Sequence, residues 1–153
     1  MLNQVCRRLA LLVSLTTLSG CDPGVHVAWK DTFQRQIDRN CIEDAVKSVA
    51  GKTTHSYYES EGEDFPHGVK VYQIMYEQPF NDMNPHLAAG CGIDIAPLRD
   101  GSMGYIHRWG KLGTTISSAE MNYVTLVMTK VNAAVARRCG VAVGNGNPVQ
   151  GKG

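Results

Sequence analysis

The chain has 153 residues, 15 Lys and Arg against 14 Asp and Glu, and a formal net charge of +1. That length fits a single domain, and the near-neutral charge supplies no clustered basic face of the kind that nucleic-acid binding needs. Hydrophobic residues make up 43% of the chain, enough for a core, so a folded domain is expected.

The first element in chain order is a targeting segment. Arg7 and Arg8 precede a run of about ten mostly apolar residues, Leu9–Leu18, which ends in Ser19-Gly20-Cys21. A bilayer-spanning helix needs ~20 apolar residues, so this run is too short. Its order of charged, apolar and small residues is that of a secretory signal. Leu18-Ser19-Gly20-Cys21 resembles the lipobox of bacterial lipoproteins at all four positions. The resemblance implies that residues 1–20 are removed and that a lipid is attached to the Cys21 thiol, with acylation of the new N-terminus. Each acyl methylene buried in the membrane contributes ~0.8 kcal/mol, so two or three chains hold a protein almost permanently. It also implies the bacterial cell envelope, facing the periplasm. Asp22 resembles an inner-membrane retention signal, and the choice of membrane stays open. Loss of Arg7 and Arg8 brings the net charge to about −1.

Residues 21–30 ("CDPGVHVAWK") read as a lipidated N-terminus and tether. Residues 31–50 read as an amphipathic helix: Phe33, Ile37, Cys41, Ala45 and Val49 recur every four residues, and Ile42 and Val46 widen the stripe. Asp31 or Thr32 caps its start and Gly51 ends it. Arg39 and Glu43, four apart, are placed to pair on the charged face.

Thr53–Glu59 is rich in Thr and Tyr and predicts a strand. "ESEGEDFPHG" then breaks the pattern. Its acidic residues Glu59, Glu61, Glu63 and Asp64 lack the EF-hand spacing and read as a loop, a calcium or small-ligand site being the lesser reading. A stronger strand follows at 69–77, with both faces partly covered. Residues 78–90 form a loop carrying Pro79 and Pro85. Strands at 91–96 and 103–109 flank the hairpin signal Asp100-Gly101. Cys91, Ile93 and Ile95 share one face with Asp94 opposite; Met103, Tyr105, His107 and Trp109 share one face of the next strand.

A second helix is predicted over 118–138. Ser117 and Glu120 form its capping box, Val124, Val127, Met128, Val131, Ala134 and Val135 its stripe, and Gly140 its end. Residues 144–153 are rich in Gly, Asn and Pro and read as a flexible tail, leaving 31–143 as the domain. The expected fold is α+β: a four-stranded, mostly antiparallel sheet with the N-terminal and C-terminal helices packed on one face.

Five cysteines are present. With Cys6 removed and Cys21 lipidated, Cys41, Cys91 and Cys139 remain in an oxidising compartment. One bridge is expected: Cys41 to Cys139, stapling the helices, with Cys91 as the alternative partner. No Cys-x-x-Cys or closely spaced His pair suggests zinc, and no cofactor or metal site is assigned.

No local motif names a reaction. Cys91 between two glycines, with His107 across a neighbouring strand, is the best candidate for a thiol enzyme or small hydrolase; the commoner fate of such a cysteine is burial. Asp94 and Asp100 are a candidate carboxylate pair. Tyr57, Tyr58, Tyr72, Tyr76 and Trp109 lie on strands, where exposed aromatics would serve binding. The expectation is therefore a lipid-anchored accessory domain that binds a protein partner in the envelope. One form of this is an inhibitor or immunity protein against an envelope-directed toxin or enzyme.

Overall fold

The computed structural model describes residues 24–77, 90–112, 115–143 and 149–152. Residues 1–20, Cys21 and the segment 78–89 lie outside these. Eight elements follow one another: β1 (Gly24–Phe33), α1 (Arg39–Ala50), β2 (Thr53–Glu59), β3 (Lys70–Tyr76), β4 (Gly90–Pro97), β5 (Met103–Leu112), α2 (Ser118–Cys139) and β6 (Val149–Lys152). The strands form one sheet in the order β2-β3-β4-β5-β1-β6, and every neighbouring pair is antiparallel.

The class is α+β, as the sequence indicates, but the sheet is larger than four strands. Five strands of seven to ten residues are joined by the four-residue β6 at one edge. The main correction is β1. Residues 24–30 are not tether, and 31–33 are not helix: all belong to a ten-residue strand beside β5, paired from Gly24↔Leu112 to Phe33↔Met103. Val25, Val27, Trp29 and Phe33 are buried on alternate positions, the period of a strand. Phe33 and Ile37 mimic the start of a helical stripe because both reach the same core as α1. The helix itself begins after Asp38, whose carboxylate accepts from the Asn40 amide at 2.9 Å. The second correction is β6: within the predicted tail, residues 149–152 pair with Val25–Ala28 of β1.

Alternation divides the buried residues into two clusters. The larger takes Ile42, Ala45 and Val46 from α1, the whole predicted stripe of α2, and Val27, Trp29, Tyr72, Ile74, Tyr76, Ile93, Ile95, Tyr105 and Trp109 from the strands. The smaller holds Ala28, Val71, Ala96 and Ile106 from the intervening positions, closed by Phe65. The capping box of α2 is present: the Ser117 hydroxyl accepts from the Glu120 amide at 3.2 Å, and the Glu120 carboxylate accepts from the Ser117 amide at 2.7 Å. At its other end Gly140 takes the left-handed conformation, φ 62°, which glycine adopts without a Cβ penalty. Arg35 donates to the carbonyls of Cys139 and Gly140 at 2.8 and 2.7 Å, satisfying helix-end acceptors. Cys41 and Cys139 form a disulfide joining α1 to α2, with Cα atoms 5.8 Å apart. Cys91 is free and buried, so it is not the bridge partner.

Candidate functional site

Two polar constellations lie on opposite sides of the sheet. The first is inside the larger cluster. His107 on β5 is fully buried. Its Nδ1 lies 2.9 Å from Asn132 Oδ1, which also accepts from the Tyr105 hydroxyl at 2.8 Å. An oxygen there requires a proton on Nδ1, so Nε2 is the acceptor, and the Tyr76 hydroxyl donates to it at 2.5 Å. Cys91 is the cross-strand neighbour of Tyr76, and the Tyr76 hydroxyl acts on its thiol. Burial pushes the His107 pKa down to about 4, against the opposing effect of the Asn132 bond, and the imidazole is neutral at physiological pH.

The structure therefore gathers Cys91 and His107 into one network but places Tyr76 between them, under α2, away from solvent. Cys91 is 1% exposed, and burial pushes its thiol up to about 12, with the Tyr76 hydroxyl acting the other way. A thiolate is the reactive form, and none exists here at neutral pH. This corrects the Cys91–His107 nucleophile: the network ties β3, β4 and β5 to α2. A maleimide added to the native chain is expected to leave Cys91 unmodified and to label it only under denaturant, as read by intact mass. Stoichiometric labelling before unfolding would contradict this burial.

The second constellation is on the other sheet face. His26 (β1), Tyr58 (β2), Gln73 (β3), Asp94 (β4) and Arg108 (β5) project from alternate positions into a cleft of about 930 Å³, completed by residues 59–65. The acidic segment folds back to make one wall. The Ser60 amide donates to the Val69 carbonyl at 2.9 Å, the Gly68 amide to the Ser60 carbonyl at 2.9 Å, and the Ser60 hydroxyl to the Phe65 carbonyl at 2.9 Å. Phe65 seats over Gly104: a Cβ there would lie 2.8 Å from Phe65 Cε1 and 3.1 Å from Leu98 Cδ2. Gly104→Ala is expected to destabilise the domain by about 1–3 kcal/mol. It should also open 60–68 to protease, measured by chemical denaturation and by limited proteolysis.

Asp94, 2% exposed, accepts from Gln73 Nε2 at 3.0 Å and Arg108 Nε at 2.9 Å. Arg108 Nη2 also donates to Asp64 at 2.5 Å, and Lys30 donates to the other Asp64 oxygen at 2.5 Å. Burial works against ionisation of Asp64, but the bonds from Arg108 and Lys30 outweigh it and hold the carboxyl below its usual value. Burial, followed by the nearby Asp94, raises the Tyr58 hydroxyl to about 12, so it stays a neutral donor. Asp94 and Asp100 do not act as a pair. The first is saturated by Gln73 and Arg108; the second accepts from the Ser102 amide at 3.0 Å in the β4–β5 turn. Among the described residues no group of three His, Cys, Asp or Glu side chains is placed to hold a metal.

A smaller hollow of about 370 Å³ lies beside α1, lined in part by Arg39, Tyr57 and Tyr72. Glu43 accepts from the Tyr72 hydroxyl at 2.6 Å and lies 3.2 Å from His55 Nδ1. The Tyr72 bond first, and then His55, keep its carboxyl below the usual range against a burial penalty. Arg39 turns from Glu43 to the rings of Tyr57 and Tyr72, 5.8 and 5.7 Å from their centroids. Of the five candidate aromatics, Tyr72, Tyr76 and Trp109 are buried and only Tyr57 and Tyr58 are exposed.

Sequence reasoning placed Asp94 and His107 on their correct faces but missed Arg108 and Gln73 as partners of Asp94 and Asn132 and Tyr76 as partners of His107. One signal was available: Asn132 is a polar residue beside the apolar stripe of α2. Cys21 lies outside the described residues. Among the described residues no helix is long and apolar enough to cross a membrane. No known protein family and no curated protein matches this chain.

Proposed function

We propose that the chain is a lipid-anchored protein of the bacterial cell envelope that acts by binding a protein partner. In this reading the two helices cover one face of the sheet and the cleft face is presented to the partner. The observation that carries it is where the cleft lies relative to Cys21. The strand registers bring Gly24, Leu112, Gly90, Tyr76 and Thr53 to one end of the sheet, and Phe33, Met103, Pro97, Lys70 and Glu59 to the other. Cys21 stands three residues before Gly24, a reach of about 10 Å at most. The acidic segment after Glu59 begins at the opposite end, about 30 Å away along a ten-residue strand. An anchor at Cys21 thus leaves the rim of the cleft at Glu59 on the end of the sheet away from the bilayer, while its floor runs back to His26 nearer the anchored end. An inhibitor or immunity protein is the form of this reading in which the partner is a toxin or enzyme.

The test uses the full chain in bacterial membranes, with a photo-crosslinking residue in place of Tyr58 or, separately, of exposed Leu126 on α2. The expected results are a lipid adduct on the mature N-terminal peptide, release of a Cys21→Ala variant from the membrane fraction, and a discrete protein adduct from position 58 but not 126. An unlipidated mature mass, or no protein adduct from either position, overturns the reading.

A further inference from the structure

We infer that the free edge of β2 and the adjoining cleft together take an extended, basic segment of the partner, laid beside β2 as an additional strand. This rests on the proposed binding function and names the chemistry of the partner.

Three observations converge on β2. The first is its edge. Among the described strands β2 is the outermost on its side and pairs with β3 alone, in an unbroken register from Thr53↔Tyr76 to Glu59↔Lys70. Exposed edges invite pairing with another chain, and proteins commonly block them with lysine, proline or bulges. Thr53–Glu59 carries none of these, and six of its seven residues are exposed. The opposite edge, β6, is four residues long. A partner strand added to an edge gains main-chain hydrogen bonds whatever its sequence, and side-chain pockets then give specificity.

The second observation is aromatic. The two exposed tyrosines among the described residues, Tyr57 at 47% and Tyr58 at 39%, are successive residues of this strand, so one lies on each face of the edge. Tyr58 is a wall of the cleft. Tyr57 is held from behind by Tyr72, with ring centroids 5.0 Å apart. Pre-set tyrosines of this kind are typical anchors of interfaces.

The third is charge. Asp64 and Asp94 are neutralised within the fold by Lys30 and Arg108. Glu59, Glu61 and Glu63 line the same cleft and make no ion pair among the described residues. Lys70 stands opposite Glu59 and over the Tyr57 ring on the other face, so it is Glu61 and Glu63 that leave the charge beside Tyr58 negative. A Lys or Arg of an added strand can lay its stem on Tyr58 and place its cation among these carboxylates. A second copy of β2 has no Lys or Arg within Thr53–Glu59, its nearest cation being Lys52 just before the strand, and it brings Glu59 of its own, so a different, basic chain is the better match.

The probe is a short fluorescent peptide alternating lysine and valine, titrated at low salt against the full-length protein in detergent. The controls are its glutamate–valine counterpart and a lysine–valine version N-methylated at every backbone nitrogen. Binding of the unmethylated lysine peptide is expected, with slowed hydrogen exchange at residues 53–59 and little binding of either control. Replacing Glu59, Glu61 and Glu63 by Gln together should weaken it about tenfold, as three exposed charge pairs would. No binding of the lysine peptide, undiminished binding of the methylated version or the triple variant, or unchanged exchange at 53–59 overturns the inference. So does slowed exchange at 53–59 in a peptide-free dimer, which assigns the edge to a second copy. A membrane partner crosslinked from position 58 whose contact segment is not basic defeats this inference and leaves the binding function standing. No crosslinked partner at all defeats the binding function itself.

Discussion

Removal of the Cys41–Cys139 bridge by the double substitution Cys41→Ala, Cys139→Ala is expected to lower stability by about 4 kcal/mol and the melting temperature by roughly 10–15 °C. The two residues are 98 apart in sequence. A bridge across so long a loop removes many conformations from the unfolded chain, and that restriction is the larger part of its effect in the chain-entropy account. Its Cα separation of 5.8 Å is ordinary for a disulfide. The two cysteines also hold the C-terminal turn of α2 against the start of α1, where Arg35 bonds the Cys139 and Gly140 carbonyls. Wild-type protein under strong reductant should fall to nearly the level of the double variant, and the double variant should be indifferent to reductant. Thermal and urea unfolding with and without reductant read both. A double variant that melts with the oxidised wild type would show that the bridge contributes nothing.

α2 was legible in the sequence because it rests on local signals, whereas the bridge, between cysteines 98 residues apart, was legible only as one of two pairings, Cys91 being the alternative partner. Six apolar residues of α2 recur at spacings of three and four, Ser117 and Glu120 stand where a capping box requires them, and Gly140 closes the helix just after Cys139. The β4–β5 hairpin was legible from Asp100-Gly101. β1 was not read, although Val25, Val27 and Trp29 alternate. A strand that opens beside Pro and Gly resembles a tether, and Phe33 and Ile37 join the spacing of α1 by coincidence of reach into one core. β6 has no side-chain pattern to read, because pairing of Val149–Lys152 with β1 is a main-chain event. The cleft was less legible still. Each of its charges is visible in the sequence, yet which charges cancel depends on register. Arg108 pairs with Gly92 across β4, which brings it diagonally to Asp94, and Asp64 returns across 34 residues to Lys30. Only after those cancellations does the negative remainder at Glu61 and Glu63 become visible.

The buried network around His107 should make the domain sensitive to mild acid. In the folded chain the imidazole stays neutral until about pH 4, whereas in the unfolded chain it takes up a proton near its ordinary value of about 6.5. Between those two values the unfolded state binds the extra proton, so stability is full at neutral pH and declines as pH falls from about 6.5 to about 4. The shift corresponds to about 3 kcal/mol across that window. Asp64, Glu43 and Glu120, whose carboxyls are held below their usual values by their partners, add losses in the same direction at the lower end, where they protonate. His107→Leu separates the two effects. It removes the titrating group, so the profile between pH 6.5 and 5 should become flat while the carboxylate losses below remain. At pH 7 it should also cost about 3 kcal/mol, because the Tyr76 hydroxyl and the Asn132 carbonyl lose a partner in a site closed to water. Adding Tyr76→Phe to that variant removes the orphaned hydroxyl and should recover part of the loss, so the two substitutions should be non-additive in urea unfolding. A His107→Leu variant that keeps the wild-type slope between pH 6.5 and 5 would assign the acid sensitivity to the carboxylates instead.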